Sequence, residues 1–222
     1  IELFNVKGKR IKRSASVTKQ NTNAISKNGY KHFMQKEIFE QKDIITRVIK
    51  DKLGTSKILP NIFGPKSDSM LKSIKHVHFV ACGTSYNASL VAKYWIEEVS
   101  DIMCTAEIAS EYRYRTINVP KDTLFVAISQ SGETADTIYS MKKAKQSNYR
   151  SILSICNVAE STITRLSDNS YLMQAGPEVS VASTKAFTSQ LIALLLLATT
   201  LSRVSDSKLE SKIINQIKSL PR

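Results

Sequence analysis

Only three cysteines occur in 222 residues, an odd number with no Cys-x-x-Cys spacing. That excludes a disulfide framework and a four-cysteine zinc site. Cys82, Cys104 and Cys156 each lie in or beside an apolar, strand-like run and read as small buried hydrophobes of a reducing, cytoplasmic compartment. The alternative for Cys82, at the start of a turn, is a nucleophile. His76 and His78 could share a strand face, yet no third ligand lies near them, so no metal is expected. The longest apolar run, 191–198, extends loosely to 201 and is too short to span a bilayer. The basic N-terminus lacks the apolar core of a secretory signal. No G-x-G-x-x-G follows a strand and no G-x-x-x-x-G-K-[ST] occurs, so the common nucleotide-phosphate loops are missing.

What remains is an ordinary globular composition, 42% hydrophobic and 23% charged, which rules out a wholly disordered chain. Its length suits one large domain. The chain opens on Ile and reads as a processed or excised piece. Its net charge of +13 is uneven: residues 1–57 hold 14 Lys and Arg against 5 acids, and the rest 18 against 14. Lys7, Lys9, Arg10, Lys12 and Arg13 form a basic arm that could follow phosphates. It has neither interleaved aromatics nor a helix-turn-helix pattern, so the expected role is a solvated connector with no nucleic-acid partner.

Residues 2–11 predict two short strands around a turn at 5–8, and polar residues 14–29 predict a linker. Apolar spacing from Phe33 to Ile49 predicts one helix reaching about Lys52. Beyond it, strand-like runs recur at 77–82, 102–108, 124–129, 151–156 and 171–173. Helical patterns at 86–99, 135–147 and 160–166 lie between several of them. Strands that alternate with helices and are apolar throughout predict an α/β fold with a five-stranded parallel sheet covered on both faces. Two helices, about 184–203 and 206–220, close the chain. The first is apolar nearly all round and is therefore expected to be buried.

Ligands of open parallel sheets bind at the carboxyl ends of the strands. Two loops there combine glycine with hydroxyls just ahead of a helix: Cys82-Gly-Thr-Ser-Tyr-Asn87 and Ser129-Gln-Ser-Gly-Glu-Thr134. Glycine admits close backbone approach, and free N–H groups at a helix start attract an anion. Each hydrogen bond to a charged group contributes about 1.5–3 kcal/mol, so three or four reach the ~4–8 kcal/mol of millimolar-to-micromolar binding. The competing explanation is that Ser and Thr are simply good helix caps. A third polar segment, 176–187, opens the buried helix and could line the same rim. Glu133 and Glu178 are open to two readings, helix-end acceptor or general base. The dense 109–115 segment reads as an inter-domain or subunit contact.

Five motifs, in order, resemble the isomerase half of the glutamine–fructose-6-phosphate aminotransferases: Phe33-Met-Gln-Lys-Glu-Ile-Phe-Glu-Gln41, Ala81-Cys-Gly-Thr-Ser-Tyr86, Ala109-Ser-Glu-Tyr-Arg-Tyr-Arg115, Ser129-Gln-Ser-Gly-Glu-Thr-Ala-Asp-Thr137 and Val181-Ala-Ser-Thr-Lys-Ala-Phe187. The resemblance implies a sugar isomerase (SIS) domain over 30–222, a flavodoxin-like three-layer αβα sandwich, with 1–29 as the tail of a glutaminase domain plus linker. It implies that Ser129, Gln130, Ser131 and Thr134 bind the phosphate of fructose 6-phosphate, or of glucosamine or glucose 6-phosphate. Thr84 and Ser85 would bind the sugar body, and Val181, Ala182 and Ser183 would line its other side. No cofactor, membrane or metal is expected; the buried-looking helix 184–203 suggests a partner surface and a homodimer, and packing within the domain explains it equally well. The family's catalytic residues lie in the glutaminase and second SIS domains, which this sequence does not include, so no catalytic residue is expected here. Ser180 stands where the family usually has Gly, and Lys42 where Pro is usual. Two other readings remain: a sugar-responsive SIS sensor in a transcriptional regulator, and a stand-alone phosphosugar isomerase.

Overall fold

Strand and helix alternate from His76 onward, and the helices fall on both sides of one sheet. The structure, a computed structural model, describes residues 2–14, 26–202 and 207–220. The expected linker falls largely outside these residues. The N-terminal strands β1 (Leu3–Phe4) and β2 (Arg10–Ile11) pair antiparallel. The Asn5 side-chain carbonyl accepts from Lys7 N and Lys9 N at 3.0 and 2.9 Å, which closes their turn.

In place of the single expected helix there are two, α1 (Phe33–Phe39) and α2 (Gln41–Ile49), parting at Glu40. Glu40 keeps helical dihedrals. Its carboxylate sits between Lys36 at 3.4 Å and Lys185 at 2.7 Å. The apolar face changes across it: Ile38 and Phe39 are exposed, whereas Ile44 and Val48 enter the core. Two short helices, α3 (Ser67–Leu71) and α5 (Ala109–Tyr112), were not expected. Five and four residues are too few to show a helical period.

The five parallel strands are β3 (His76–Ala81), β4 (Met103–Ile108), β5 (Thr123–Ser129), β6 (Ser151–Cys156) and β7 (Asn169–Leu172), in spatial order β4-β3-β5-β6-β7. The first crossover moves outward and the second returns past β3, so the winding direction reverses between β3 and β5. Helices α4 (Gly83–Val99), α8 (Lys185–Ser202) and α9 (Ser207–Ser219), with α2, cover one face. Helices α5, α6 (Ala135–Ala144) and α7 (Thr162–Leu166) cover the other. Alternation along β3 shows the division: Val77, Phe79 and Ala81 join the α4/α8 core, and Val80 joins the α5/α6 core. The three inner strands are buried at every residue. Strand β4 departs from the expected pattern, because an edge strand has a neighbour on one side only; Met103 is 66% exposed.

Helix α8 has the length and apolarity of a membrane span, yet 78% of it is buried inside the protein. It is the core helix that its all-round apolar sequence predicts. Segment 109–115 is partly engaged within the chain: Tyr112 is fully buried, Arg113 pairs with Asp136 at 2.5 Å, and Arg115 pairs with Glu107, while Glu111, Tyr114 and Arg115 are exposed.

Under α5 lies a polar network. Tyr112 donates to the Tyr149 hydroxyl at 3.1 Å, and that hydroxyl is 2.8 Å from His78 Nδ1. His78 Nε2 approaches Glu107 to 3.0 Å, too poorly aligned to count as a hydrogen bond. Burial holds the imidazole down at about 4, outweighing the attraction of Glu107. The unfolded chain therefore binds a proton near pH 6.5 that the folded chain refuses until about pH 4. Stability from His78 is complete above 6.5 and falls as pH drops toward 4, by about 3 kcal/mol in all. Thermal melts at pH 7 and 4.5 should show His78→Phe losing less stability on acidification than the parent. Equal losses would assign the acid sensitivity elsewhere.

Candidate functional site

Register brings the two hydroxyl loops together. Ala81 pairs with Ile128, so Cys82 and Ser129 leave neighbouring strands side by side. This is the point at which the winding reverses, where a doubly wound sheet opens a crevice at its carboxyl edge.

The first loop turns into α4 through Gly83, at φ +57. Thr84 is exposed and Ser85 is 7% exposed. In the second loop Ser129, the last residue of β5, accepts from Gly132 N at 3.0 Å and shares a 3.0 Å hydrogen bond with Thr134 Oγ1. Ser131 Oγ accepts from Glu133 N at 3.2 Å. Gln130, Ser131 and Thr134 are half-buried. Thus the serine oxygens brace the turn as acceptors, while the Ser131 hydroxyl hydrogen stays free to donate.

The helix starts at this rim differ in one decisive respect. Glu178 accepts from Thr184 N at 2.9 Å and Ala186 N at 3.2 Å, so the start of α8 already faces a carboxylate. Ser161 and Glu133 serve α7 in the same way, Glu133 at 2.7 Å from Thr162 N. That backbone donor lowers the Glu133 carboxyl below its ordinary value. Helices α4 and α6 have no side-chain cap, and Asp136 in the first turn of α6 is turned to Arg113. Among the described rim helices, α4 and α6, which follow the neighbouring strands β3 and β5, therefore present unclaimed N–H groups and the positive end of the helix dipole; the four-residue α5, after edge strand β4, is also uncapped. Both candidate general bases, Glu133 and Glu178, are engaged as helix-end acceptors.

The third segment reaches the same rim. Asn157, just past β6, joins Gln130 to residues 175–176: its N–H lies 3.3 Å from the Gln130 carbonyl, and its amide bonds Gly176 O at 2.7 Å and Ala175 N at 2.8 Å. Val181 and Ala182 are exposed and Ser183 is half-buried, its hydroxyl donating to Glu178 at 3.1 Å. Buried Glu37 of α1 anchors the segment by accepting from Val179 N at 2.6 Å, and the Ser180 hydroxyl also donates to it. Serine at 180 is thus accommodated by a bond that glycine could not make, and exposed Lys42 is accommodated in the first turn of α2.

Sequence reasoning missed Asn157, Glu37 and Gln190. Of these, only Asn157, directly after a strand, carried a positional signal. Two open clefts elsewhere are lined by Lys72, Lys75 and Asp101, and by Lys121, Asp122 and Arg150. These residues lie at the amino ends of the strands, away from the crevice of a parallel sheet.

The molecule is thus a doubly wound α/β domain whose switch point, between β3 and β5, presents the uncapped starts of α4 and α6 and a hydroxyl-rich turn. The SIS domain model matches residues 70–200, and the chain belongs to the SIS domain family. It is 43% identical to a glutamine–fructose-6-phosphate aminotransferase (isomerizing) of Pseudomonas aeruginosa, over the whole chain and 37% of that protein. Against the enzyme of the same name from Legionella pneumophila (strain Lens), identity is 46% over 95% of the chain and 34% of the relative. The C-terminal domain of glucosamine-fructose-6-phosphate aminotransferase from Francisella tularensis superposes with a TM-score of 0.85 at 43% identity, covering 88% of this chain and 56% of that one. The chain therefore spans little more than a third of the curated relatives it matches.

Proposed function

We propose that this chain is the first SIS domain of a glutamine–fructose-6-phosphate aminotransferase and holds the sugar phosphate during synthesis of glucosamine 6-phosphate. The phosphate sits at the 129–134 turn, bound by Ser129, Gln130, Ser131, Thr134 and the amino end of α6. The sugar body lies across Thr84 and Ser85, with Val181, Ala182 and Ser183 on its far side. Residues 1–29 belong to the end of a glutaminase domain and its linker. Ring opening and isomerisation use groups of a second SIS domain, in a cytoplasmic homodimer.

One observation carries the reading: α4 and α6, which start side by side after the neighbouring strands β3 and β5, have N-terminal ends that no side chain claims. An anionic ligand there gains charge-assisted hydrogen bonds without a lysine. Titrating the chain with fructose 6-phosphate, and following its backbone amides by NMR, should shift residues 83–86 and 130–135 at millimolar or lower ligand. With an ammonia source added, no glucosamine 6-phosphate should form. Shifts confined to the amino-end clefts, or clear turnover, would overturn the assignment.

A further inference from the structure

Ser85 is the rim hydroxyl whose hydrogen-bonding direction is set from inside the fold. Gln190, in the second turn of α8, is 1% exposed, and its Nε2 donates to Ser85 Oγ at 2.9 Å. Its Oε1 is buried with no partner among the described residues. In a helix otherwise rich in leucine, an aliphatic side chain would fill the same space without leaving a buried acceptor unmet. Among the described residues the amide's single partner is the Ser85 hydroxyl.

Most other buried helical hydroxyls here are occupied differently, those of Ser67 and Thr137 having no partner among the described residues. Those of Ser89, Ser140, Ser189, Thr199, Thr200 and Ser202 each donate to a carbonyl three or four residues back. Ser85 stands in the first turn of α4, and the residue three before it, Cys82, has its carbonyl engaged by Tyr86 N. Among the described residues Ser85 makes one hydrogen bond, and in it the oxygen accepts. Its hydrogen is left unused.

We infer that Gln190 is a positioning residue that fixes Ser85 as a hydrogen-bond donor toward the sugar body of the bound sugar phosphate. By taking up a Ser85 lone pair from the core side, the amide prevents the hydroxyl from donating inward and presents its hydrogen at the rim. The ligand oxygen Ser85 meets is therefore an acceptor: a carbonyl, or a hydroxyl using its lone pair. This rests on the sugar-phosphate reading above and adds a polarity requirement to it.

The test is titration of the chain with fructose 6-phosphate and, separately, inorganic phosphate. Gln190→Met keeps the volume and removes the donor; Gln190→Glu turns the donor into an acceptor, so Ser85 must donate inward. Both variants should bind fructose 6-phosphate about tenfold more weakly, the order expected for one lost hydrogen bond. Inorganic phosphate affinity should stay within about twofold of the parent. In a Ser85→Ala background, Gln190→Met should cause no further loss. Unchanged fructose 6-phosphate affinity, an equal loss for both ligands, or a loss that persists without Ser85 would each overturn the positioning role. If the parent chain binds neither ligand, the sugar-phosphate reading fails, and this inference fails with it.

Discussion

Gly132→Ala is expected to abolish sugar-phosphate binding and lower the melting temperature by roughly 5–15 °C. Gly132 adopts φ +70 inside the hydroxyl turn. A Cβ there would lie 2.1 Å from Ser161 Oγ, 2.4 Å from Ser161 Cβ and 2.7 Å from Cys156 Sγ. Left-handed backbone costs an alanine about 1–2 kcal/mol, and overpacking a filled site adds about 1–3. At about 2–4 °C per kcal/mol for a domain of this size, the melting shift follows. The neighbours have little room to yield, since Ser161 caps α7 and Cys156 ends a fully buried strand. If the turn moves instead, Ser129 loses the Gly132 N–H and the proposed phosphate donors lose their arrangement. Gly83→Ala is the control: it too has positive φ, but a Cβ there would meet nothing within 4 Å. Its cost should be the backbone strain alone. Should Gly132→Ala melt with Gly83→Ala and retain ligand, the crowding at this turn plays no part.

The second large effect concerns affinity. Ser131→Ala should weaken fructose 6-phosphate binding by about 1.5–3 kcal/mol, roughly 10- to 150-fold, with little change in melting temperature. The structure separates two roles for this side chain. Its oxygen accepts from Glu133 N at 3.2 Å, a bond water can replace at a half-buried site. Its hydrogen has no such duty and is available to a charged oxygen. Ser129 differs: it is nearly buried and braces both Gly132 and Thr134. Ser129→Ala should therefore lower stability and affinity together. A Ser131→Ala chain that binds normally but melts early would reverse this division and leave Ser131 as turn scaffolding.

The parallel sheet was legible because its inner strands are short, apolar and separated by helical patterns. Burial on both faces leaves no polar alternation to confuse with a one-sided sheet. The two hydroxyl turns were legible for a related reason: glycine beside serine and threonine, after a strand and before a helix, is a local signal. The break at Glu40 was not, because both halves keep a helical period and the division involves Lys185, far away in the chain. Helices α3 and α5 were too short to show a period.

The partners of Glu133 and Glu178 could not be assigned from composition either. Each was a loop carboxylate with two readings, and it took the spatial neighbours Thr162, Thr184 and Ala186 to make them helix-end acceptors. Local spacing and residue type were enough to settle the class of fold, the buried α8 and the position of the two glycine- and hydroxyl-bearing turns, because those depend on residues adjacent in the chain. Which helix starts stay open to a ligand depends on partners up to 29 residues apart, and which face Gln190 and Glu37 serve, with the anchoring of the 178–183 segment, on contacts more than a hundred residues apart. Such contacts exist only once the sheet order has brought the carboxyl ends of the strands to one edge.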